Sequence, residues 1–299
     1  MTLREIVCDI KSDRKKKVIL DTDTYNEIDD QYALAYCYFS ERIDLVAVHA
    51  APFDNDNSEN YADGMEKSYH EIHRVLKAAD PEYTTPVMRG CTERITDKRA
   101  VVESEAVDNL IRIVRESDEI VYVLGIGAIT NVTSAIMKAP DIINNMAVIW
   151  LGAHQLDLGH INEFNLTQDI AASQILVNSG VPLLLCPAVS VTGVLVAKFP
   201  MIEELKGQNP VCDLLYDLTE EYYEGAGRPD NWIRILWDIA APAIIDCPQS
   251  AEIDIIKAPV FTDDLKFAFD STRHEIMYLR SLDRQTVFDK TWETLKKGK

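Results

Sequence analysis

The chain has 299 residues, a hydrophobic content of 47% and a formal net charge of −19 at pH 7, with a sequence pI near 4.7. This length suits one large α/β domain, and the apolar content is enough for a substantial core. A chain this acidic repels nucleic-acid phosphates and anionic membrane surfaces, so we expect neither as a partner. A small neutral or cationic substrate, or a bound metal, fits the charge better.

The six cysteines are scattered without a C-x-x-C pair, which argues against a structural zinc site. Cys37, Cys186 and Cys247 lie in apolar stretches, and we expect buried free thiols there. Free thiols indicate a reducing compartment. Residues 1–17 contain no apolar segment of signal-peptide length, so we expect a cytoplasmic protein. We expect these residues to form an N-terminal extension whose basic run, Lys15–Lys17, is solvated.

Short apolar runs alternate with helical segments along the chain. The predicted strands are Val18–Leu20, Ile43–His49, Pro86–Gly90, Ile120–Leu124, Ala147–Leu151 and Pro182–Cys186. The predicted helices run from Asp30 to about Ser40, from about Asn60 to Ala79, from Ser104 to Arg115 and from Ile170 to Asn178. A further helix is predicted to follow the Gly125–Asn131 loop and to continue through Met137. Residues 200–240 look mainly helical, and Glu275–Leu279 is expected to extend the sheet or to form an appendage.

Near-continuous apolar runs are typical of parallel strands that are covered on both faces. The alternation therefore predicts an α/β fold, with a mostly parallel, Rossmann-like central sheet and helices on both faces. No linker or internal repeat divides the sequence. We predict a single domain over residues 1–299.

An acidic loop follows the first predicted strand. Within ten residues it contains Asp21, Asp23, Glu27, Asp29 and Asp30. Ligands of open α/β sheets bind outside the carboxyl ends of the strands. Helix capping explains one or two of these acids, but five so close together repel one another unless a cation neutralises them. A hard cation with oxygen ligands fits this loop.

Two chemistries compete for the loop. Asp21-Thr-Asp23-Thr-Tyr25 is similar to the D-x-D-x-[TV] motif of haloacid-dehalogenase-like phosphatases, in which the first aspartate is the nucleophile. That family does not call for a second acidic pair such as Asp29-Asp30. The other chemistry is metal-assisted hydrolysis, in which a carboxylate accepts a proton from a water made more acidic by the ion.

The loop also resembles that of the nucleoside hydrolases, whose first strand ends in D-x-D-P-G-x-D-D. Here the linker from Asp23 to Asp29 is two residues longer and lacks Pro-Gly. The resemblance continues in the family's order along the chain. The matching segments are Pro86-Val-Met-Arg-Gly90, Leu124-Gly-Ile-Gly-Ala-Ile-Thr-Asn131, Trp150-Leu-Gly-Ala-His154, Glu163-Phe-Asn165 and Trp237-Asp238.

The resemblance implies calcium-dependent hydrolysis of the N-glycosidic bond of a ribonucleoside or related N-riboside, with release of ribose and a base. Asp23 would be general base and metal ligand, and the other Ca²⁺ ligands would be Asp30, the carbonyl of Thr130 and Asp238. The implied ribose ligands are Asp29, Glu163, Asn165 and Asp238. The resemblance also implies a homodimer or homotetramer.

The sequence departs from the family on the leaving-group side. Trp237 stands where the family often has a His that protonates the leaving base. A Trp does not donate a proton at neutral pH, but it can stack on a base or sugar. Arg228, beside Gly225-Ala-Gly227, is expected to contact the substrate from a flexible loop. These departures keep open a third hypothesis, a calcium-dependent ribose- or sugar-binding protein without turnover.

Overall fold

The computed structural model describes residues 2–298, in which strands and helices alternate as the sequence predicts. The strands are β1 (Lys16–Thr22), β2 (Ile43–Ala50), β3 (Val87–Arg89), β4 (Val121–Gly125), β5 (Met146–Leu151), β6 (Leu183–Cys186), β7 (Val196–Lys198), β8 (Ile233–Ile235), β9 (Ala251–Lys257), β10 (Val260–Phe261), β11 (Phe267–Ala268) and β12 (Glu275–Leu282).

Helices connect most of these strands. The α-helices are α1 (Leu3–Lys11), α2 (Asp29–Phe39), α3 (Tyr61–Ala79), α4 (Glu105–Glu116), α5 (Thr130–Lys138), α6 (Phe164–Gln168), α7 (Ile170–Asn178), α8 (Phe199–Glu203), α9 (Pro210–Gly225), α10 (Ala240–Asp246) and α11 (Arg284–Lys297). Short 3₁₀ helices lie at Pro140–Asn144, Thr192–Val194, Trp237–Ile239 and Pro248–Ser250. No helix among the described residues has the length and apolar character needed to cross a membrane.

Eight strands form the central sheet in the order β3-β2-β1-β4-β5-β6-β12-β9. Neighbouring strands are parallel except β9, which pairs antiparallel with β12. Val18 and Leu20 pack into one hydrophobic cluster and Ile19 into another, because successive side chains of a strand point to opposite faces. The predicted mostly parallel α/β sheet, covered on both faces, is confirmed.

The strand order reverses next to β1. This strand pairs with β2 on one side and with β4 on the other, so the connections after β2 and β4 lead in opposite directions along the sheet. The crevice at the carboxyl ends of β1 and β4 is therefore a topological switch point, where doubly wound sheets bind their ligands.

The chain beyond β6 differs in part from the prediction. Residues 200–240 contain α8 and α9, but they also contain β8, which pairs antiparallel with β7. Strands of three residues carry no usable periodicity, and the two partners are more than thirty residues apart in sequence. The predicted extension of the sheet near the C-terminus is confirmed by β9 and β12.

The N-terminal residues are part of the folded core. Ile6 and Ile10 of α1 are fully buried. Lys16 is also buried, as the first residue of β1, and its Nζ donates to the carbonyl oxygens of Ser12 at 2.5 Å and Arg14 at 2.7 Å. The expectation that the basic run is solvated was therefore wrong for Lys16. The three predicted buried thiols, Cys37, Cys186 and Cys247, are free and buried.

Candidate active site

Four buried carboxylates meet at the switch-point crevice. Asp23 follows β1, Asp29 and Asp30 open α2, and Asp238 lies in the 3₁₀ helix Trp237–Ile239. One oxygen each of Asp29, Asp30 and Asp238 lies within 4.8 Å of the others. Asp23 belongs to the same electrostatic cluster, because the charges of Asp29 and Asp30 act on it. Residues more than 200 positions apart in sequence thus share one site.

The cluster is held at a high electrostatic cost. Burial, followed by the negative charge of Asp30, raises the pKa of Asp23 well above its usual range. Burial and the charge of Asp29 raise the pKa of Asp30 to about 7, although Thr22 Oγ1 donates a hydrogen bond to its Oδ1 at 2.5 Å. Burial and the three neighbouring carboxylates likewise raise the pKa of Asp238. A cation among these groups would relieve both the burial cost and the repulsion.

The donor set fits a hard divalent cation. Both carboxylate oxygens of Asp23 are buried without a hydrogen-bond partner among the described residues. Buried polar atoms seldom stay unpaired. The neighbouring groups that could act as metal ligands are the carboxylate oxygens of Asp29, Asp30 and Asp238, the kind of ligand that Ca²⁺ and Mg²⁺ prefer. Gly127 leaves room for Asp23, since a Cβ at residue 127 would lie 2.8 Å from Asp23 Oδ1.

Asp21 lies beneath this cluster. Its Oδ2 accepts a hydrogen bond from Asn131 Nδ2 at 2.9 Å, and His49 Nδ1 is 3.9 Å away. Burial raises the pKa of Asp21 to about 7, and Asp21 does not line the cavity described below. The phosphatase hypothesis needs Asp21 as an accessible nucleophile, and the structure does not place it in reach of a substrate.

A cavity of about 300 Å³ opens above the carboxylates, at the lower end of the range of small-molecule sites. It contains most of the predicted site residues. Its walls are Asp23, Asn26, Glu27, Asp29, Asp30, Ile126, Leu151, His154, Asn162, Glu163, Phe164, Asn165, Ala188, Val189, Trp237 and Asp238.

Glu163 and Asn165 are fixed by the start of α6. The Glu163 carboxylate accepts backbone N–H bonds from Asn165 at 2.9 Å and Leu166 at 2.9 Å, and from Ala153 at 3.0 Å. The Asn165 amide donates to the carbonyls of Ile126 and Leu151 at 3.1 and 3.0 Å. Asn165 therefore links the loop after β4 to the end of β5, and Glu163 links the turn after β5 to the start of α6, while both side chains line the cavity.

Two predicted site residues, Thr130 and Arg228, do not line the cavity. The Thr130 hydroxyl forms a hydrogen bond with Tyr61 Oη and donates one to Asp169, both at 2.8 Å. The predicted metal ligand is the Thr130 carbonyl, which these two bonds do not involve. Arg228 pairs with Glu220 at 3.1 Å and with Glu224, near the C-terminal end of α9. The structure therefore places the Arg228 side chain in a different surface depression, beside Tyr223 and Trp232.

Sequence reasoning missed the importance of Arg234. Its Nη2 lies 2.5 Å from Glu27 Oε2 and 3.9 Å from Asp29 Oδ1. Among residues 2–298, it is the one basic side chain in an ion pair with a carboxylate that lines the cavity. In the sequence, Arg234 stands between Trp232 and Trp237, and no local pattern there points to a contact with the acidic loop.

A Rossmann-like sheet with a buried carboxylate cluster that could hold a metal ion at its switch point fits a ligand-binding α/β enzyme. The sequence model of the family described as inosine-uridine preferring nucleoside hydrolase matches residues 18–255, which is most of the chain. The chain therefore belongs to the nucleoside hydrolase family and is an N-glycosyl hydrolase. No curated protein sequence gives a significant match.

Solved structures with the same fold agree with the family. A plant nucleoside hydrolase is 19% identical with a TM-score of 0.73, and the match covers 94% of this chain and 99% of that one. A purine-preferring ribonucleoside hydrolase from Gardnerella vaginalis is 19% identical with a TM-score of 0.75, over 94% and 98% of the two chains. An inosine-uridine preferring nucleoside hydrolase from Bacillus anthracis is 16% identical with a TM-score of 0.68, over 94% and 99%.

Proposed function

We propose that this enzyme uses Ca²⁺ to hydrolyse the N-glycosidic bond of a ribonucleoside or related N-riboside, releasing ribose and a base. The observation that carries the proposal is the set of four buried carboxylates at the cavity floor, in which both oxygens of Asp23 lack a hydrogen-bond partner. In a member of this family, such a set supports a cation site beside a bound riboside.

The metal ligands in this proposal are Asp23, Asp30, Asp238 and the carbonyl of Thr130. Bound Ca²⁺ supplies positive charge that makes a nearby water more acidic and offsets the repulsion among the carboxylates. Asp23 would also accept the proton of the attacking water, because no hydrogen bond from another residue occupies its carboxylate oxygens. Asp29 would complete the negative floor of the cavity.

The carboxylates would also favour the transition state directly. Breaking an N-ribosyl bond creates positive charge on the sugar, and a negative cavity floor stabilises that charge more than it stabilises the neutral substrate. In this proposal Asp29, Glu163, Asn165 and Asp238 hold the ribose hydroxyls. The assignment of Glu163 and Asn165 is supported by their place in the cavity wall.

Trp237, which lines the cavity, is the residue that we propose to contact the leaving group. We assign it a stacking role against the base or sugar, because an indole cannot supply a proton to the leaving group at neutral pH. Substrate binding by Arg228 stays a prediction, as does assembly into a homodimer or homotetramer. The surface ion pairs of Arg228 would have to open for that contact to form.

The proposal is tested with the variant Asp23→Ala. We expect ribose release to fall by about 10³-fold or more, since the general base and a metal ligand are lost together. The assay detects reducing sugar from purine, pyrimidine and nicotinamide ribosides, with and without Ca²⁺. Asp118→Ala is the control, because the Asp118 side chain is 96% exposed.

Full activity in folded Asp23→Ala would refute the assigned role. Binding of Ca²⁺ and ribose by the wild-type protein without ribose release from any riboside would favour the sugar-binding hypothesis instead. Circular dichroism on each variant separates loss of function from loss of fold.

A further inference from the structure

The segment that lengthens the acidic loop is fixed by side chains from outside the loop. Asn55 Nδ2 donates to Asn26 Oδ1 at 2.5 Å, and Asn57 Nδ2 donates to the Asn26 carbonyl at 2.8 Å. Gln31 Nε2 donates to the Glu27 carbonyl at 3.3 Å. Asn26 and Glu27 both line the cavity, so whatever fixes this segment also shapes the wall of the site.

Arg234 makes the charged contact to the same segment. Its guanidinium lies 2.5 Å from Glu27 Oε2 and 3.9 Å from Asp29 Oδ1, and its side chain is 20% exposed. The side chain projects from β8, where Arg234 is in register with Ala197 of β7. The ring of Tyr222 lies 5.5 Å from the guanidinium carbon. A short antiparallel ribbon and an aromatic ring therefore hold the cation in place.

The ion pair has a physical reason to control the wall. The Glu27 side chain is 44% exposed and stands two residues before Asp29, whose like charge repels it. Without Arg234, this repulsion would push Glu27 away from the cavity toward solvent. A planar guanidinium that reaches both carboxylates opposes that movement. The Arg234 side chain is only 20% exposed, so solvent screens its charge less than that of a fully exposed arginine.

We propose that Arg234 is a substrate-positioning residue. Through its ion pair with Glu27, it holds the Asn26–Glu27 segment as one wall of the cavity and so determines how tightly the riboside binds. Arg234 belongs to neither the cation site nor the reacting groups, so its effect falls on substrate affinity more than on the chemical step. The inference rests on the proposed function, because it concerns the riboside of that same site.

The kinetic test compares Arg234→Gln, Glu27→Gln and the double variant. We expect Arg234→Gln to raise KM for inosine and uridine about tenfold while kcat changes by less than about threefold, the pattern of lost substrate binding. The double variant should be no worse than Arg234→Gln, because both changes remove the same contact. Arg234→Lys should recover part of the loss, since it keeps the charge.

The control is Arg112→Gln. Arg112 pairs with Glu116 at 2.7 Å on α4, and both side chains are more than half exposed. This change removes an Arg–Glu pair of the same chemistry away from the cavity, so KM should not change. Additive effects of Arg234→Gln and Glu27→Gln would overturn the proposal, as would an unchanged KM in Arg234→Gln.

Two further measurements do not depend on turnover. Hydrogen exchange should show lost protection over residues 24–28 in Arg234→Gln, including the Asn26 amide that donates to the Asp23 carbonyl at 2.7 Å. Calorimetry should show a similar, about tenfold, loss of inosine affinity. If the wild-type protein released no ribose from any riboside, the proposed function would fail. These two measurements would then decide the role of Arg234, and equal inosine affinity in both proteins would overturn it.

Discussion

Glu163 stabilises the backbone around it and also lines the cavity. Its carboxylate accepts three backbone N–H bonds, one of them from Ala153, whose φ of 61° lies in the left-handed region. A left-handed conformation is costly for a residue with a Cβ, and it persists where surrounding contacts enforce it. Glu163 thereby stabilises the turn after β5 and the start of α6.

The titration of Glu163 predicts a pH dependence of stability. Burial raises the pKa of Glu163 from its ordinary value of 4.5 to about 7. Between these values the folded protein keeps a proton that the unfolded chain has lost. The free energy of unfolding therefore decreases as pH rises through this window, by up to about 1.4 kcal/mol per pH unit from this group.

The variant Glu163→Gln removes this titration. We expect its free energy of unfolding, measured by urea denaturation from about pH 5 to pH 7, to decrease less steeply with pH than that of the wild type. The variant also loses one acceptor oxygen, so it should be less stable at the acid end. Parallel pH profiles of the two proteins would show that Glu163 does not titrate in this window.

At the scale of elements, α1 and β1 are joined more firmly than an N-terminal extension requires. Thr2 and Glu5 form a reciprocal capping pair at the start of α1, and Lys16 bonds back to the turn that leads into β1. Ile6 and Ile10 bury their side chains in the same hydrophobic cluster as Val18. The helix therefore supports the strand that ends directly before Asp23.

This packing predicts the effect of Ile10→Ala. Ile10 is fully buried, and truncation of such a side chain typically lowers the free energy of unfolding by about 2–5 kcal/mol. Chemical denaturation measures the change. The matched control is Ile233→Ala, where the isoleucine is 52% exposed and the loss should be below about 1 kcal/mol. A loss as small in Ile10→Ala as that expected for the control would mean that Ile10 does not contribute to the core.

At the scale of the whole molecule, charge is the dominant feature. The net charge is −19, and four carboxylates at the centre of the sheet's carboxyl edge are buried together. Their repulsion opposes folding, and a bound cation that binds only the folded state would offset it. Stability and metal binding should therefore be coupled in this protein.

The coupling predicts a calcium-dependent Tm. At a Ca²⁺ concentration about 100 times Kd, binding should stabilise the fold by about 2.7 kcal/mol, which corresponds to a rise of several degrees. Differential scanning calorimetry in Ca²⁺ and in a chelator measures it. Asp238→Asn should lose most of the rise, whereas Asp118→Asn should keep it. A full rise in Asp238→Asn would remove Asp238 from the ligand set.

Local features of the sequence determined the fold class and most of the site. Strands such as β1 and β4 are continuous apolar runs, and Asp23, Asp29, Asp30, Glu163 and Asn165 stand next to strand ends or helix starts. Because ligands of doubly wound sheets bind at the carboxyl ends of the strands, the acidic loop after β1 already indicated where the site lies. Glu163 and Asn165 were placed there by resemblance to a family motif. Asp238 was found by resemblance to a family motif.

The tertiary structure alone decided which charged side chains face the cavity. Glu27 and Arg234 are about 200 residues apart, and no local pattern encodes an ion pair between them. The same holds for the pairing of β7 with β8, for the burial of Asp21 beneath the site, and for the surface position of Arg228. These outcomes depend on contacts and desolvation between remote segments, whereas sequence periodicity reports only the neighbours along the chain.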